Sequence, residues 1–270
     1  MPELAEVEVI RRNVDRWWTG RQAVEVRRLD PAIAKDCQER QIRDALSREL
    51  VEIRRRGKYL IAHLKGGPVA IFHFRMTGKI ICADRPDPKY ARLSWRIDEI
   101  GWLVFKDQRR LGTLEIVDED ELCDHEPLAS LGPEPPEVTV AGLRSACSDR
   151  RLLKTALLDQ HIVAGVGNIA VSEIFWRLQL PPQIKCGQLD ADQWRRLVEQ
   201  LPVYFDELVE RTMADEVHYR GEASFEDDEL FDVYGRQGQA CPRCGGRIEK
   251  IRVAGRASYF CDQCQNHSEQ

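Results

Sequence analysis

The sequence predicts an α+β chain in several parts: an antiparallel β-sandwich opened by an N-terminal helix, then a helical segment, then a short C-terminal metal-bound finger. Three observations carry this. Short apolar runs punctuated by Gly, Pro and Asp recur from about residue 22 to 116, the pattern of an antiparallel sandwich or barrel. Helical periods replace them beyond a turn-rich stretch at 131–136. Near the C-terminus stand four cysteines, Cys241-x2-Cys244-x16-Cys261-x2-Cys264, whose paired spacing suits a tetrahedral Zn²⁺.

Residues 3–18 place Leu4, Val7, Ile10, Val14 and Trp17 at three- and four-residue steps, predicting one helix with a buried stripe. Strands are expected at YLIAHL (59–64), VAIFHF (69–74), RLSWRI (92–97) and WLVFKD (102–107). An acidic stretch then leads into Leu131-Gly132-Pro133-Glu134-Pro135-Pro136, read as a stiff linker. Helices are expected at about 139–147, 151–160, 169–178 and 190–211. Residues 212–232 show no clean period and read as a loop with one partial turn. The finger is too short to hold itself together by apolar burial, so metal binding would supply its folding energy. Four thiolates close the coordination sphere, which makes the expected ion structural.

The chain has 270 residues, 43% of them apolar and 31% charged, the composition of a soluble globular protein. It shows no secretory signal and no apolar run able to span a bilayer. Five further cysteines (Cys37, Cys82, Cys123, Cys147 and Cys186) are scattered singly, predicting buried thiols in a reducing cytosol rather than a disulfide framework. The net charge of −5 neither supports nor excludes a nucleic-acid partner, because a negative overall field still permits a local basic groove.

Several short motifs are candidates for chemistry. Removal of Met1 would leave Pro2 with a secondary ring amine, and an α-amino group titrates near 7.7–8.0. A neutral amine of this kind attacks an aldehyde-like sugar carbon to form an iminium. Glu3 or Glu6 beside it would shuttle protons. The same residues also suit any helix start, where Pro and acidic side chains are favoured. In Arg54-Arg55-Arg56-Gly57-Lys58 the glycine turns the chain, so that Lys58 projects toward a phosphate or leaving group; a solvated charged hairpin is the commoner origin of such a run. Met76, in His73-Phe74-Arg75-Met76-Thr77-Gly78, stands at a loop tip as a wedge between bases or, alternatively, as core. Arg109 and Leu111 repeat that mixture of cation and apolar residue. Gly165-Val166-Gly167-Asn168 would cradle phosphate at a helix start, or simply allow two helices to pack closely.

Taken together, these stretches resemble the formamidopyrimidine-DNA glycosylase/endonuclease VIII family along essentially the whole chain. The resemblance rests on Met1-Pro2-Glu3-Leu4-Ala5-Glu6-Val7-Glu8, Arg55-Arg56-Gly57-Lys58-Tyr59-Leu60, His73 to Gly78, and Leu131-Gly132-Pro133-Glu134-Pro135. It continues through Lys154 to Gln160, Asn168-Ile169, Val233-Tyr234-Gly235-Arg236 and a cysteine finger containing Gly255-Arg256. It implies an N-terminal β-sandwich domain (1–132), a helix-two-turn-helix domain (133–235) and a β-hairpin zinc finger (236–270). The implied activity is a bifunctional glycosylase and abasic-site lyase of base-excision repair, acting on oxidised purines. In that family the nucleophile matches Pro2, the proton donor Glu3, the β-elimination lysine Lys58 and the δ-elimination arginine Arg256. Contacts to DNA fall on His73, Met76, Tyr90, Arg109, Leu111, Lys154 and Asn168, and zinc on Cys241, Cys244, Cys261 and Cys264. One structural zinc and no organic cofactor are implied. The expected partner is duplex DNA with a damaged base or abasic site, bound by a cytoplasmic, nucleoid-associated monomer without membrane contact.

The chain departs from the family at Ala5, usually Pro, at Leu111, usually Phe, at Tyr90-Ala91-Arg92, usually His-Asp-His, and at Ala170, usually Tyr. The segment 212–232 lacks the usual Gly- and Thr-rich loop over the extruded base and carries acidic residues instead. Oxidised pyrimidines or alkylated and cross-linked bases are therefore alternative substrates. A silent paralogue that only binds damaged DNA is the alternative from another class.

Overall fold

The computed structural model describes residues 2–214 and 230–265, and its contacts divide the chain into two compact units. The first is built on Met1–Ser130, the second on Leu131–Arg211 and the residues from 230 onward. Helix α1 (Leu4–Trp18) opens the first unit, and Leu4, Val7, Ile10, Val14 and Trp17 are all buried along the expected stripe. Strand β1 (Ala23–Arg28) is followed by helix α2 (Glu39–Leu46), which the sequence reading missed. Seven strands follow: β2 (Leu50–Arg56), β3 (Tyr59–Leu64), β4 (Pro68–His73), β5 (Lys79–Ala83), β6 (Ala91–Ile97), β7 (Gly101–Lys106) and β8 (Thr113–Asp118). They form two four-stranded antiparallel sheets, ordered β2-β3-β4-β8 and β1-β6-β7-β5.

A run of aromatic rings from both sheets fills the core. Phe72 of β4 stacks on Trp95 of β6 and Phe105 of β7, with centroids 5.9 and 6.2 Å apart. Trp95 also meets Trp18 of α1 at 5.3 Å, and Phe74 stacks on Phe105 at 5.5 Å. Such pairs add to the stabilisation that their buried area gives. Gly112 presses on the Phe105 ring: a Cβ there would lie 2.7 Å from Phe105 Cζ. We expect Gly112→Ala to destabilise the protein by about 1–3 kcal/mol through overpacking. Thermal denaturation checks this, and an unchanged midpoint would contradict it.

A short helix α3 (Glu126–Ala129) closes the first unit. The segment from Leu131 is no free linker. Gly132 N–H donates to the Gln160 carbonyl at 2.8 Å, Ala164 N–H donates to the Pro133 carbonyl at 3.0 Å, and Pro135 is buried. Helices α4 (Val140–Ser145) and α5 (Leu153–Leu157) are shorter than the periodicity predicts, because turns take up the rest of each apolar run. Two successive turns separate α5 from α6 (Asn168–Arg177), and α7 (Ala191–Ala214) runs for 24 residues despite Pro202. Residues 212–214, expected in a loop, complete α7; 215–229, including the acidic run, lie outside the described residues. Strands β9 (Ile248–Val253) and β10 (Arg256–Cys261) form a hairpin, and helix α8 (Asp262–Gln265) ends the described chain. No described helix is long and apolar enough to cross a membrane. Of the five single cysteines only Cys147 and Cys186 are buried, while Cys37 and Cys82 are partly accessible and Cys123 is exposed.

Candidate active site and nucleic-acid interface

In the first unit the candidate chemistry gathers at the start of α1 and at the loops next to β2, β4 and β7. Pro2 is half-buried, whereas Glu3 and Glu6 are buried. These two glutamates form a capping box, in which Glu3 N–H donates to Glu6 Oε2 at 2.9 Å. Burial, reinforced by the neighbouring Glu3 carboxylate, pushes the Glu6 pKa up from 4.5 to about 7. Glu6 is therefore a reservoir for a proton near neutral pH. A carboxyl whose folded pKa is raised binds its proton more tightly in the folded state, so its contribution to stability is full below about 4.5 and is lost as pH rises through about 7. Glu6→Gln retains the cap and removes the charge. We expect that variant to lose the part of the melting-temperature decline that falls between these pH values; a decline identical to the parent's would assign it to other groups.

Glu8 ties this helix to the next element. Its carboxylate takes Arg11 and Arg12 from its own helix and lies 3.5 Å from Arg55 Nε of β2. Burial works against ionisation, but these cations hold the Glu8 carboxyl below its usual range. Strands β2 and β3 join through a two-residue turn of Gly57 and Lys58, with Gly57 at φ +54°. That conformation suits glycine at the first turn position, and it leaves Lys58 half-buried at the tip.

His73 ends β4, with its ring edge-on to Tyr59 at 4.5 Å. Burial, then the charges of Arg75 and Lys58, pushes its pKa down to about 3, so the imidazole is neutral. Arg75 N–H donates to Nδ1 at 3.2 Å, which puts the ring proton on Nε2 as a donor. Met76, Tyr90 and Leu111 are 39%, 37% and 44% exposed, so Met76 is not core. Arg109 is exposed beside Leu111.

In the second unit Lys154, Asn168 and the hairpin carrying Arg256 come together. Lys154 is buried, and its Nζ donates to the Ala257 carbonyl at 2.8 Å and to Ser258 Oγ at 2.5 Å. Asn168 Nδ2 donates to the same carbonyl at 3.0 Å, so its amide is engaged within the protein rather than open as a cradle. Asn168 Oδ1 is a buried acceptor with no protein partner. Burial, then the charge of Arg256, lowers the Lys154 pKa to about 8. Arg256 itself stands exposed at the start of β10, after Gly255 at φ +75°.

The four finger cysteines lie with all sulfur atoms within 4.8 Å of one another. Cys241 and Cys264 are 3.9 Å apart, and Cys244 and Cys261 3.4 Å. Zn–S bonds of about 2.3 Å in a tetrahedron require sulfurs roughly 3.8 Å apart, so the set fits zinc. Trp176 Nε1 of α6 donates to Cys241 Sγ at 3.4 Å, and Gly246 N–H to Cys244 Sγ at 3.4 Å, the outer bonds that orient thiolate ligands.

Sequence reasoning missed the carboxylates that hold these pieces in place. Glu173, buried in α6, accepts from the N–H groups of Asp232, Val233 and Tyr234 at 2.8–2.9 Å and so anchors the chain after residue 230. Asp30 and Asp107 do comparable work in the first unit. Their partners are backbone groups or side chains distant in sequence, so no local pattern marks them.

Comparison with known proteins matches three domain families in order. They are the formamidopyrimidine-DNA glycosylase N-terminal domain over residues 1–114, the formamidopyrimidine-DNA glycosylase H2TH domain over 131–216, and a zinc finger found in FPG and IleRS over 238–266. A formamidopyrimidine-DNA glycosylase of Bacillus cereus is 34% identical over 276 aligned residues, covering 98% of this chain and 99% of the relative. The Streptococcus mutans enzyme of that name is 33% identical, with the same coverage. Two solved structures of Lactococcus lactis Fpg are similar throughout. One, in complex with DNA containing an abasic site, has a TM-score of 0.84 at 28% identity over 98% of this chain and 99% of its own. The other, a variant with DNA containing Fapy-dG, has a TM-score of 0.87 at 29% identity over 98% and 100%. With its capped N-terminal helix, two antiparallel sheets, helix-two-turn-helix segment and four-cysteine hairpin, this chain belongs to the formamidopyrimidine-DNA glycosylase family.

Proposed function

We propose that the protein is a bifunctional DNA glycosylase and abasic-site lyase of base-excision repair, acting on oxidised purines in duplex DNA. The observation that carries this reading is the retention of Pro2, Glu3 and Lys58 together, with Glu3 in the α1 capping box and Lys58 at the β2–β3 turn. The Pro2 amine, freed by removal of Met1, attacks C1′ of the damaged nucleotide as the bond from C1′ to the base breaks. The departing base takes the bonding electrons and a proton. Glu3 protonates the sugar ring oxygen as the ring opens to an iminium on Pro2. Lys58 then serves β-elimination, in which C2′ loses a proton and the 3′ carbon–oxygen bond breaks. Arg256 is assigned to the second elimination and to phosphate. Glu6, with its raised pKa, supplies a proton reserve beside Glu3.

His73 offers a neutral Nε2–H to a phosphate oxygen, and Lys154 and Asn168 serve the DNA backbone by holding the β10 hairpin that presents Arg256. Met76, Arg109 and Leu111, with Tyr90 nearby, fill the space left by the extruded base, offsetting the few kcal/mol that unstacking costs. Cys241, Cys244, Cys261 and Cys264 would hold one zinc ion, which supplies folding energy to the hairpin and takes no part in the reaction. The domain boundaries follow the same reading, at 1–132, 133–235 and 236–270. Oxidised pyrimidines are the alternative substrate class. Its support is that a Lactococcus lactis relative of similar shape, with a TM-score of 0.85 at 30% identity, is solved with DNA containing an oxidised pyrimidine.

Borohydride trapping on an abasic-site duplex tests the chemistry. A covalent adduct, together with release of 8-oxoguanine from a lesion duplex, is expected. Duplex binding without any adduct would leave a damage-binding protein.

A further inference from the structure

Three of the large exposed apolar side chains, Met76, Tyr90 and Leu111, lie in the loops at 74–78, 84–90 and 107–112. The same loops hold Arg75, Tyr90 and Arg110 at φ +52°, +69° and +57°, a region that non-glycine residues avoid. Backbone of this kind persists only where its surroundings over-determine it. Here the three loops meet at one buried residue, whose carboxylate holds two of them and whose backbone N–H holds the third.

Asp107 is 1% exposed, and its carboxylate accepts four hydrogen bonds. Oδ1 accepts from Thr77 Oγ1 and from Arg109 N–H at 3.1 Å, and Oδ2 from Leu111 and Gly112 N–H, each at 2.7 Å. Asp107 N–H donates in turn to the Tyr90 carbonyl at 3.0 Å. All three loops thus close on a single residue. Behind it, Arg92 donates to the Asp107 carbonyl at 2.8 Å and to the Asp30 carboxylate at 3.1 Å. Arg110, though exposed, is turned back onto the same Asp30, with Nη2 donating at 2.9 Å, and Arg109 is exposed as well.

We propose that Asp107 is the positioning residue for base extrusion, setting Met76, Tyr90 and Leu111 as one rigid apolar comb before DNA arrives. The inference rests on the glycosylase reading above. A wedge offsets unstacking only if its own position is already fixed; a loose loop would have to be ordered at the moment of extrusion. A carboxylate suits this place because it is acceptor-only and has about four lone-pair sites, each taken by a donor here. An asparagine keeps one oxygen: its NH₂ faces either the Leu111 and Gly112 N–H groups or, flipped, the Arg109 N–H, so at least one backbone donor loses its carboxylate acceptor.

The test compares the full-length parent protein with Asp107→Asn and with Thr77→Val, which cuts the link between two loops while leaving the carboxylate in place. Two reactions are measured: base excision from a lesion duplex, and borohydride trapping on a single-stranded abasic oligonucleotide, which needs no unstacking. Amide hydrogen exchange at Leu111 and Gly112 reports on the loop. For Asp107→Asn, duplex excision is expected to fall roughly 30- to 100-fold, as a misplacement of about 1 Å does, with exchange accelerated and single-strand trapping within about threefold of the parent. Thr77→Val should show the same split at roughly fivefold, and it decides the matter if Asp107→Asn does not fold. Equal loss in both reactions would make Asp107 a general structural residue, and unchanged duplex excision would remove its role; either result overturns the inference. A parent protein that neither excises nor traps refutes the glycosylase reading first and takes this inference with it.

Discussion

Protein that retains Met1 is expected to give no borohydride-trapped adduct with an abasic-site duplex, while the processed form of the same preparation traps. The difference lies in the state of one nitrogen. In the unprocessed chain the Pro2 nitrogen is a tertiary amide, whose lone pair is delocalised into the carbonyl and which has no proton to lose. In the processed chain it is a secondary amine of pKa near 7.7–8.0, partly neutral at pH 7. The positive end of α1 favours that neutral form further, by about 0.3–1 kcal/mol. Glu3 and Glu6 remain within the capping box in either case, so binding to intact duplex is expected to survive in the unprocessed form. Mass spectrometry of the trapped band supplies the check. If the adduct mass includes Met1, or if both forms trap equally, the nucleophile is another amine and Pro2 is only a helix-start residue.

The parts of this site that a sequence displays are those whose physics is local. Strand β3 matches the expected 59–64 because a continuous apolar run between two glycine turns leaves little else for it to be. The finger is legible because ligand spacing is itself the constraint. Helix α2 is hidden because it buries only Ile42, Ala45 and Leu46 in eight residues, which reads as a polar loop. Lys154 resembles a surface cation until its partner, the Ala257 carbonyl 103 positions away, is brought to it. Asp107 is hidden for the same reason: Thr77 lies 30 positions before it, and three of its other donors are backbone groups that have no sequence signature. Family resemblance identifies the side chains that would face DNA, but only the folded chain shows which buried carboxylates hold them.

The finger yields the second large effect. Cys244→Ser should abolish zinc binding and unfold the β9–β10 hairpin while the first unit stays folded. Hydrogen bonds from Lys154, Asn168 and Gln265 dock the hairpin, but its apolar core is small. Its buried cluster consists of Trp176, Val233 and Ile248 with the three buried thiols Cys241, Cys261 and Cys264. That is too small a core to offset the ordering of some thirty residues, whereas a structural zinc site supplies roughly 10–16 kcal/mol of apparent binding energy. Once the hairpin is lost, the Ala257 carbonyl leaves both Lys154 and Asn168. Lys154 then recovers solvent, and Arg256 no longer has a fixed strand beneath it. On the proposed reading the hairpin presents Arg256 to phosphate, so duplex affinity is expected to fall by about 10²-fold or more and its dependence on salt to flatten. Zinc content, exchange at Ser258 and Phe260, and affinity at two salt concentrations measure the three consequences separately. Zinc retained at full stoichiometry with unchanged affinity would mean that three thiolates suffice. A folded, zinc-free hairpin that still binds duplex would show instead that docking on α6, through Trp176 and Arg243, carries the stability assigned here to the metal.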